Sequence, residues 1–257
     1  DKVISIRKTS NGPVISDVLS SARKASSNDT VVVLRAALLR SADRTPNAIH
    51  ALNRAKNWKS FVAAIKEFGS PQQNIFFASQ TGDIGFFAPA WLPVRRTGHG
   101  LVPVEGGRDP WVGSIPFSAL PKHKNPKTGI LFNANNSIVD KKYPYFISAD
   151  WDEPFRAIRL KKLLKQLHKS NVEDHTIIQT DTYSMMAKEL LPIMLSLIRK
   201  NEVPHDIVEL LNNWNYQMKR GSASALIFST WLSQLHVDIF KDELESLFPT
   251  MENFRPE

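Results

Sequence analysis

The pattern of apolar residues changes once along this chain, near residue 149, and this change limits the possible folds more than any single motif. Before it, short apolar runs alternate with turn residues, as in β-strands and their connections. After it, apolar residues recur at helical spacing. Strands followed by helices predict an α+β fold in one continuous unit over residues 1–257, with strands and proline-rich loops over 1–148 and helices over 149–257.

Two β-hairpins are predicted in the first part. Val3–Arg7 and Pro13–Ser16 flank the turn pair Asn11-Gly12. Asn74–Ala88 contains two apolar runs around Gln80–Asp83 and is the clearest hairpin of the chain.

One buried strand and two helices are predicted between these hairpins. The strand is Val31–Leu34. Thr45 is suited to cap a helix, and Pro46 fits its first position. A second helix is predicted over Trp58–Phe68, with Gly69 placed to end it.

Prolines are frequent between residues 88 and 126. They stand at positions 89, 93, 103, 110, 116, 121 and 126. Proline cannot donate a hydrogen bond to a central strand ladder, so this segment predicts a long ordered loop or a set of edge strands. Ordered loops of such length usually shape a site.

Five helices are predicted after residue 149. They are Glu153–Lys169, one opening with a capping box at Ser170–Glu173, Ser184–Lys200, one starting at Val203–Asp206 and one starting at Gly221-Ser222. The last helix is expected to bury one apolar face. Its members are Ala223, Leu226, Ile227, Thr230, Trp231 and Leu235.

A good part of the net charge of +8 lies in the first of these helices. Its cations are Arg156, Arg159, Lys161, Lys162, Lys165 and Lys169. No aromatic residues are interleaved with them, so we interpret them as a solvated face and expect no nucleic-acid partner.

Composition excludes several kinds of site. The chain has no cysteine, which rules out disulfides, thiolate catalysis and cysteine-ligated metals. The seven histidines are not paired at ligand spacing, and we expect surface or capping roles for them. No stretch is long and apolar enough to predict a membrane span. The chain opens with Asp1 rather than Met, which suggests a processed or excised piece.

The segment Gly129–Tyr145 is predicted as an apolar strand that runs into a group of asparagines. Asn133, Asn135 and Asn136 are poor strand residues. Asparagine tolerates left-handed backbone, so a plain turn explains them. The alternative is a site whose side-chain amides donate hydrogen bonds to a substrate oxygen, as in an oxyanion hole.

An ordered series of short motifs extends over most of the chain. The motifs are Asn11-Gly-Pro-Val-Ile-Ser16, Asp83-Ile-Gly85, Pro93-x-Arg95 with Gly98, Trp111-x-Gly113-x-x-Pro116-Phe117, Leu120-Pro121, Asn125-Pro126-x-x-Gly129, Asn133-Ala-Asn135-Asn136, Tyr143-Pro144, Arg156 with Arg159, Gln179-x-Asp181-x-x-Ser184, Leu191-Pro192 and Gly221-Ser-Ala223. In order and spacing, this series resembles the middle part of the β-subunit of the penicillin acylase (penicillin amidase) family.

The resemblance implies an N-terminal-nucleophile hydrolase with an αββα-type fold, of which this chain is a part. In that family an N-terminal serine attacks an amide and forms an acyl-enzyme, with its own α-amino group as base. By the same resemblance, Asn135 is the oxyanion donor, and Arg156 lies next to the active site and supports its hydrogen bonds. Two other roles stay open: Asn136 exchanging roles with Asn135, and Arg156 pairing with Asp152 or Glu153.

The chain departs from the family pattern at its start. Asp1 is not a serine, threonine or cysteine, so we expect this fragment alone to be inactive, with the nucleophile upstream. The family often binds calcium between subunits, but no carboxylate match is found here, so we expect no cofactor in this chain.

The resemblance also implies partners and a compartment. The expected partners are a small-molecule amide substrate, the α-subunit and the remainder of the β-subunit, and the expected localisation is periplasmic or secreted. The alternative is a binding or structural module without activity, whose basic helix meets an acidic partner.

Overall fold

The computed structural model of the chain describes residue 3 and residues 5–107, 109–199 and 202–244. The chain divides into two compact units, Asp1–Asp152 and Glu153–Glu257. This division lies close to the change of pattern at residues 148 and 149. The first unit contains strands and helices and the second is helical, so the predicted mixture of helix and sheet is confirmed. That the whole chain forms one unit stays a prediction.

The first unit opens with a short hairpin of β1 (Lys8–Thr9) and β2 (Gly12–Pro13). A turn at residue 11 was predicted correctly, but the first strand was placed too early. Ile4 lies outside the described residues, while Val3 and Ser5–Arg7 are not in a strand. Gly12 is required where it stands, because a Cβ atom there would lie 2.1 Å from the carbonyl oxygen of Leu34.

The predicted strand Val31–Leu34 is wrong. This segment makes a single isolated bridge, between Val33 and Val14, and Val31 and Leu34 are exposed. It lies between the short helix α1 (Ser20–Lys24) and a 3₁₀ turn over Ala37–Leu39. β-branched residues favour a strand, but the backbone bonds of Val32 and Leu34 to the segment Pro13–Ser16 are too few to make one here.

Helices α2 (Thr45–Leu52) and α3 (Trp58–Ile65) confirm the two predicted helices of this unit. Thr45 does not cap α2 as predicted. Its buried hydroxyl instead accepts the backbone N–H groups of Gly69 and Ser70 and donates to Asp43. Gly69 was predicted to end α3, but the helix already ends at Ile65. The N–H of Gly69 instead bonds to Thr45 at the start of α2.

A three-stranded antiparallel sheet packs against these helices. β3 (Ile75–Ala78) and β4 (Ile84–Phe87) form the predicted hairpin, and β7 (Lys122–Lys124) pairs with the other edge of β4. The core between helices and sheet contains Ala48, Phe61, Ile65, Phe68, Phe87, Ile115 and Leu120. Burial of these side chains supplies most of the driving force for this unit to fold.

The proline-rich segment forms edge strands, one of its two predicted outcomes. β5 (Pro93–Arg95) and β6 (Trp111–Ser114) pair with each other, outside the main sheet. Pro93 stands at the first position of its strand, where its missing N–H removes no ladder bond from a central strand.

The described part of the second unit contains five helices. They are α4 (Phe155–Gln166), α5 (Val172–Gln179), α6 (Met185–Ser196), α7 (His205–Asn212) and α8 (Ala223–Leu244). The capping box of α5 is formed by Asn171 and Asp174, one residue later than predicted. Lys200, predicted as the end of α6, lies outside the described residues.

The buried face of α8 agrees with the predicted one at Ile227, Trp231 and Leu235, which pack against the core, and differs from it at other positions. Leu226 is 69% exposed, whereas Ala225 and Phe228 are buried. These two residues share a core with residues of α6, α7 and the segment after α7. Its other members are Ala187, Leu191, Met194, Leu211 and Trp214. Among the described residues, no helix has the length and apolar character needed to cross a bilayer.

Candidate active site

The asparagine segment is an irregular turn of the first unit. The predicted strand before it is wrong, because residues 130–132 pair with no strand in the described part of the chain. The turn itself is confirmed. Asn135 has a φ of 62°, in the left-handed region that asparagine enters more readily than most residues.

Two side-chain amides hold the backbone of this turn. The Oδ1 atom of Asn133 accepts the N–H of Asn135 at 3.0 Å. The Oδ1 atom of Asn136 accepts the N–H of Ala134 at 3.1 Å. The first is an Asx-turn bond, in which a side chain satisfies a backbone group two residues on, and the second runs in the opposite direction along the chain. The backbone N–H groups of the left-handed residue Asn135 and of Ala134 before it are thus both held by neighbouring side chains.

Asn74 ties the turn to the sheet. Its Nδ2 atom donates to Oδ1 of Asn133 at 2.8 Å, and its Oδ1 atom accepts from Gln72 at 3.1 Å. Asn74 directly precedes β3, whose Ile75 and Phe77 pack against the core. Sequence reasoning missed Asn74, because nothing local connects it with a residue 59 positions later.

The chain after the turn is also anchored. The hydroxyl of Tyr143 donates to the carbonyl oxygen of Ala119 at 2.9 Å, and Tyr145 and Ile147 pack against the core of the unit. Burial raises the pKa of the Tyr143 hydroxyl above its ordinary value, so this group stays protonated as a donor at neutral pH. The carbonyl oxygen of Asn135 accepts the N–H of Asp152 at 3.3 Å.

This arrangement holds the backbone of Asn135 and makes its side-chain amide the candidate donor of the site. The residue is exposed, while its neighbours Asn133 and Asn136 are half-buried. A neutral side-chain amide carries two N–H donors and does not titrate. When such a donor is held in place, it can stabilise negative charge that develops on a reacting oxygen.

Arg156 lies in the second unit, in the first turn of α4, and is exposed. Cations are disfavoured near the N-terminus of a helix, because that end carries partial positive charge. The position of Arg156 is therefore not explained by the electrostatics of its own helix. Its role beside Asn135 stays a prediction.

Arg159 was predicted to lie on a solvated basic face, but it is half-buried and forms an ion pair. Its guanidinium binds both carboxylate oxygens of Asp181, at 2.8 and 2.7 Å, and lies 4.4 Å from the ring centroid of Tyr183. This pair lowers the pKa of the Asp181 carboxyl and joins α4 to the start of the segment before α6. Both residues belong to the motif series, and their observed role is structural.

The described residues provide no metal centre. Among them, no group of three or more His, Cys, Asp or Glu side chains could hold a metal ion. Calcium in the full-length protein stays a prediction. Six of the seven histidines are exposed, and His236 is half-buried.

Two curated relatives are similar in sequence to most of this chain. The chain is 26% identical to a penicillin acylase 2 proenzyme of Pseudomonas sp., over 90% of this chain and 29% of the relative. It is also 26% identical to an acyl-homoserine lactone acylase of Pseudomonas fluorescens, over 93% of this chain and 31% of that protein. The chain thus spans about a third of the length of these curated relatives.

A structural comparison gives the fold. A thermostable penicillin G acylase from Alcaligenes faecalis superposes with a TM-score of 0.74 at 21% identity, over 95% of this chain and 45% of that one. The mixed arrangement of helices and strands is therefore that of part of a penicillin G acylase.

The family comparison covers nearly the whole chain. The model of the penicillin amidase family matches residues 1–256. The motif series, the fold and this match all agree. The chain therefore belongs to the penicillin amidase family.

Proposed function

We propose that this chain forms part of an enzyme that hydrolyses linear amides, and that Asn135 donates a hydrogen bond to the oxyanion of the reaction. The observation that supports this most is the fixed left-handed turn at Asn135, in a member of the penicillin amidase family. The relatives named above are acylases, which supports amide hydrolysis as the reaction type.

The nucleophile of this proposal is an N-terminal serine supplied from outside these 257 residues. Its hydroxyl oxygen attacks the carbonyl carbon of the amide, and its α-amino group takes the hydroxyl proton. The carbonyl oxygen becomes an oxyanion, which accepts the N–H of the Asn135 side chain. The intermediate then collapses, the C–N bond breaks, and the α-ammonium group returns its proton to the leaving amine.

The second half of the reaction releases the acyl group. A water molecule loses a proton to the α-amino group and attacks the acyl-serine ester. The same oxyanion position is used again. The carboxylic acid leaves as the serine regains its proton, so the enzyme returns to its starting state.

Arg156 is proposed to support the hydrogen bonds of this site. Its guanidinium provides several donors in a fixed plane, and its position at the start of α4 has no helix-electrostatic benefit. We also propose that the full-length protein acts on an amide substrate and contains an α-subunit and the rest of the β-subunit. We further propose that it binds calcium and is periplasmic or secreted.

A binding module that uses the basic face of α4 is the second candidate. Less supports it, because Arg159 is engaged with Asp181 inside the unit and is not available to an acidic partner.

Replacement of Asn135 in the full-length protein tests the proposal. Glycine accepts a φ of 62° without strain, so Asn135→Gly removes the amide while preserving the backbone. We expect kcat for an acyl nitroanilide to fall about 100- to 1,000-fold, with little change in KM. Asn135→Asp, which places an acceptor and a negative charge there, should lower kcat at least as much.

Asn125→Gly is the matched control. Asn125 also has a positive φ, 48°, but its side chain bonds to Ile84 and Asp83. This variant should keep its kcat. Unchanged turnover in both Asn135 variants, with processing verified by mass spectrometry, would remove Asn135 from the mechanism.

A further inference from the structure

Asn133 lies at the centre of the hydrogen-bond network around the candidate oxyanion donor. Its Oδ1 atom accepts from Asn74 at 2.8 Å and from the backbone of Asn135 at 3.0 Å. Its Nδ2 atom donates to the carbonyl oxygen of Asn136 at 3.3 Å. An amide oxygen has two lone pairs, so the acceptor capacity of this side chain is fully used.

The backbone decides the orientation of this network. The N–H of Asn135 can only donate, so the atom of Asn133 that faces it must be the oxygen. That oxygen in turn requires the NH₂ group of Asn74 to face it. The oxygen of Asn74 then faces the NH₂ group of Gln72. One backbone donor thereby fixes the orientation of three side-chain amides in series.

We propose that Asn133 is a positioning residue, which holds the Asn135 amide where the oxyanion forms, and that Asn74 orients Asn133. This inference rests on the proposed function. Asn133 bonds to the N–H of the same residue whose φ is left-handed, so its loss frees the backbone at that residue. A displacement of about 1 Å at a catalytic group is enough to lower a rate about 100-fold.

Two variants of Asn133 separate positioning from simple stability. Asn133→Ala removes all three contacts, and we expect kcat to fall about 10- to 100-fold with KM within about twofold. Asn133→Asp keeps the acceptors for Asn74 and Asn135 and loses the donor to Asn136. The carboxylate oxygen that replaces Nδ2 faces the acceptor oxygens of Asn136, so this variant should restore only part of the lost kcat. Asn125→Gly again serves as the control, since its side chain bonds elsewhere in the same unit.

A double-variant cycle gives a readout that a purely structural role would not change. If Asn133 acts through the Asn135 amide, Asn133→Ala should add almost nothing to the kcat loss of Asn135→Gly. If the kcat losses of the two single variants multiply in the double variant, the proposal is wrong. If Asn133→Ala does not fold, Asn74→Ala replaces it in the cycle, because it removes one support of Asn133 and leaves the bond to Asn135.

The outcomes distinguish this inference from the function on which it rests. If the Asn135 variants keep full turnover, the oxyanion proposal fails and Asn133 has nothing to position. If they lose turnover while Asn133→Ala and Asn74→Ala behave like Asn125→Gly, the oxyanion proposal stands and the positioning role is wrong.

Discussion

Asparagine has several different roles in this chain, and the bonding partner decides which one applies. Asn57 and Asn171 accept backbone N–H groups at the starts of α3 and α5 and act as helix caps. Asn125 bridges the hairpin turn near Asp83. Asn133 bonds within its own turn and to Asn74. A short amide side chain fits all of these places, so the residue type does not distinguish a cap from a site.

The candidate site was therefore predictable at some residues and not at others. The plain turn and the donor site were stated as alternatives for the asparagine segment; the turn is confirmed, and the donor site stays a prediction. Asn133 and Asn136 form the turn, because the first accepts the N–H of Asn135 and the second accepts the N–H of Ala134. Asn74 was not predictable, because its contact depends on the packing of β3 and not on any local pattern.

The ion pair between Arg159 and Asp181 leads to a prediction about stability and pH. Its side chains are 25% and 16% exposed, and the bonds are charge-assisted. We expect Arg159→Ala to lower the free energy of unfolding at pH 7 by about 1.5–3 kcal/mol. Urea unfolding followed by circular dichroism measures this, because most of the helix lies in the second unit.

The pH dependence has a definite sign. The folded pKa of Asp181 is lowered, mainly by its hydrogen bond to Arg159, from an ordinary value of 3.8. The contribution is thus complete above about pH 4 and is lost as the pH falls through the lower folded value. The stability gap between wild type and Arg159→Ala should shrink in acid. Arg199→Ala, in the exposed pair with Glu202, should change stability little, and a gap that widens in acid would contradict this account.

At the scale of elements, local signals predicted those that carry their own boundaries. The β3–β4 hairpin has a turn sequence, and α3 has a regular apolar face and a cap. The failures are Val31–Leu34, which makes only an isolated bridge to Val14, and Gly129–Phe132, which pairs with no strand among the described residues. Strand formation needs a second backbone, which a one-dimensional pattern does not specify.

The contact between β4 and α3 gives a sharp prediction at this scale. A Cβ atom on Gly85 would lie 2.0 Å from the ring of Trp58, which itself packs against Phe61. Gly85→Ala should therefore force α3 away from the sheet and cost about 1–3 kcal/mol of stability. Thermal unfolding measures the loss. Gly106→Ala, at a position with open space, should have nearly the Tm of the wild type.

At the scale of the whole molecule, the family and the mixed fold could be predicted from motif order, while the apolar faces of single helices were less certain. On α8, for example, Ile227, Trp231 and Leu235 pack against the core as predicted, but Leu226 faces solvent and Phe228, which was not predicted, is buried. Apolar residues occur on more than one face of that helix. Its buried face depends on where α6 and α7 pack.

The proposal places the nucleophile outside residues 1–257 and the oxyanion donor within them. Covalent labelling of the nucleophile checks this. A polypeptide of residues 1–257 alone should hydrolyse no acyl nitroanilide and should not react with a sulfonyl fluoride. The full-length protein should do both, with the label on an N-terminal serine outside these residues. Peptide mass spectrometry locates the label. A label within residues 1–257 would show that the nucleophile was assigned wrongly.

The orientation of the amide network also bears on how such a protein would age. Slow hydrolysis of an asparagine side chain to a carboxylate keeps its acceptors and removes its donors. At Asn133 the acceptors hold the turn, so this damage would leave the bonds to Asn74 and Asn135 in place. At Asn135 the same chemistry would remove the proposed donor. A stored preparation could therefore lose turnover while it still appears fully folded.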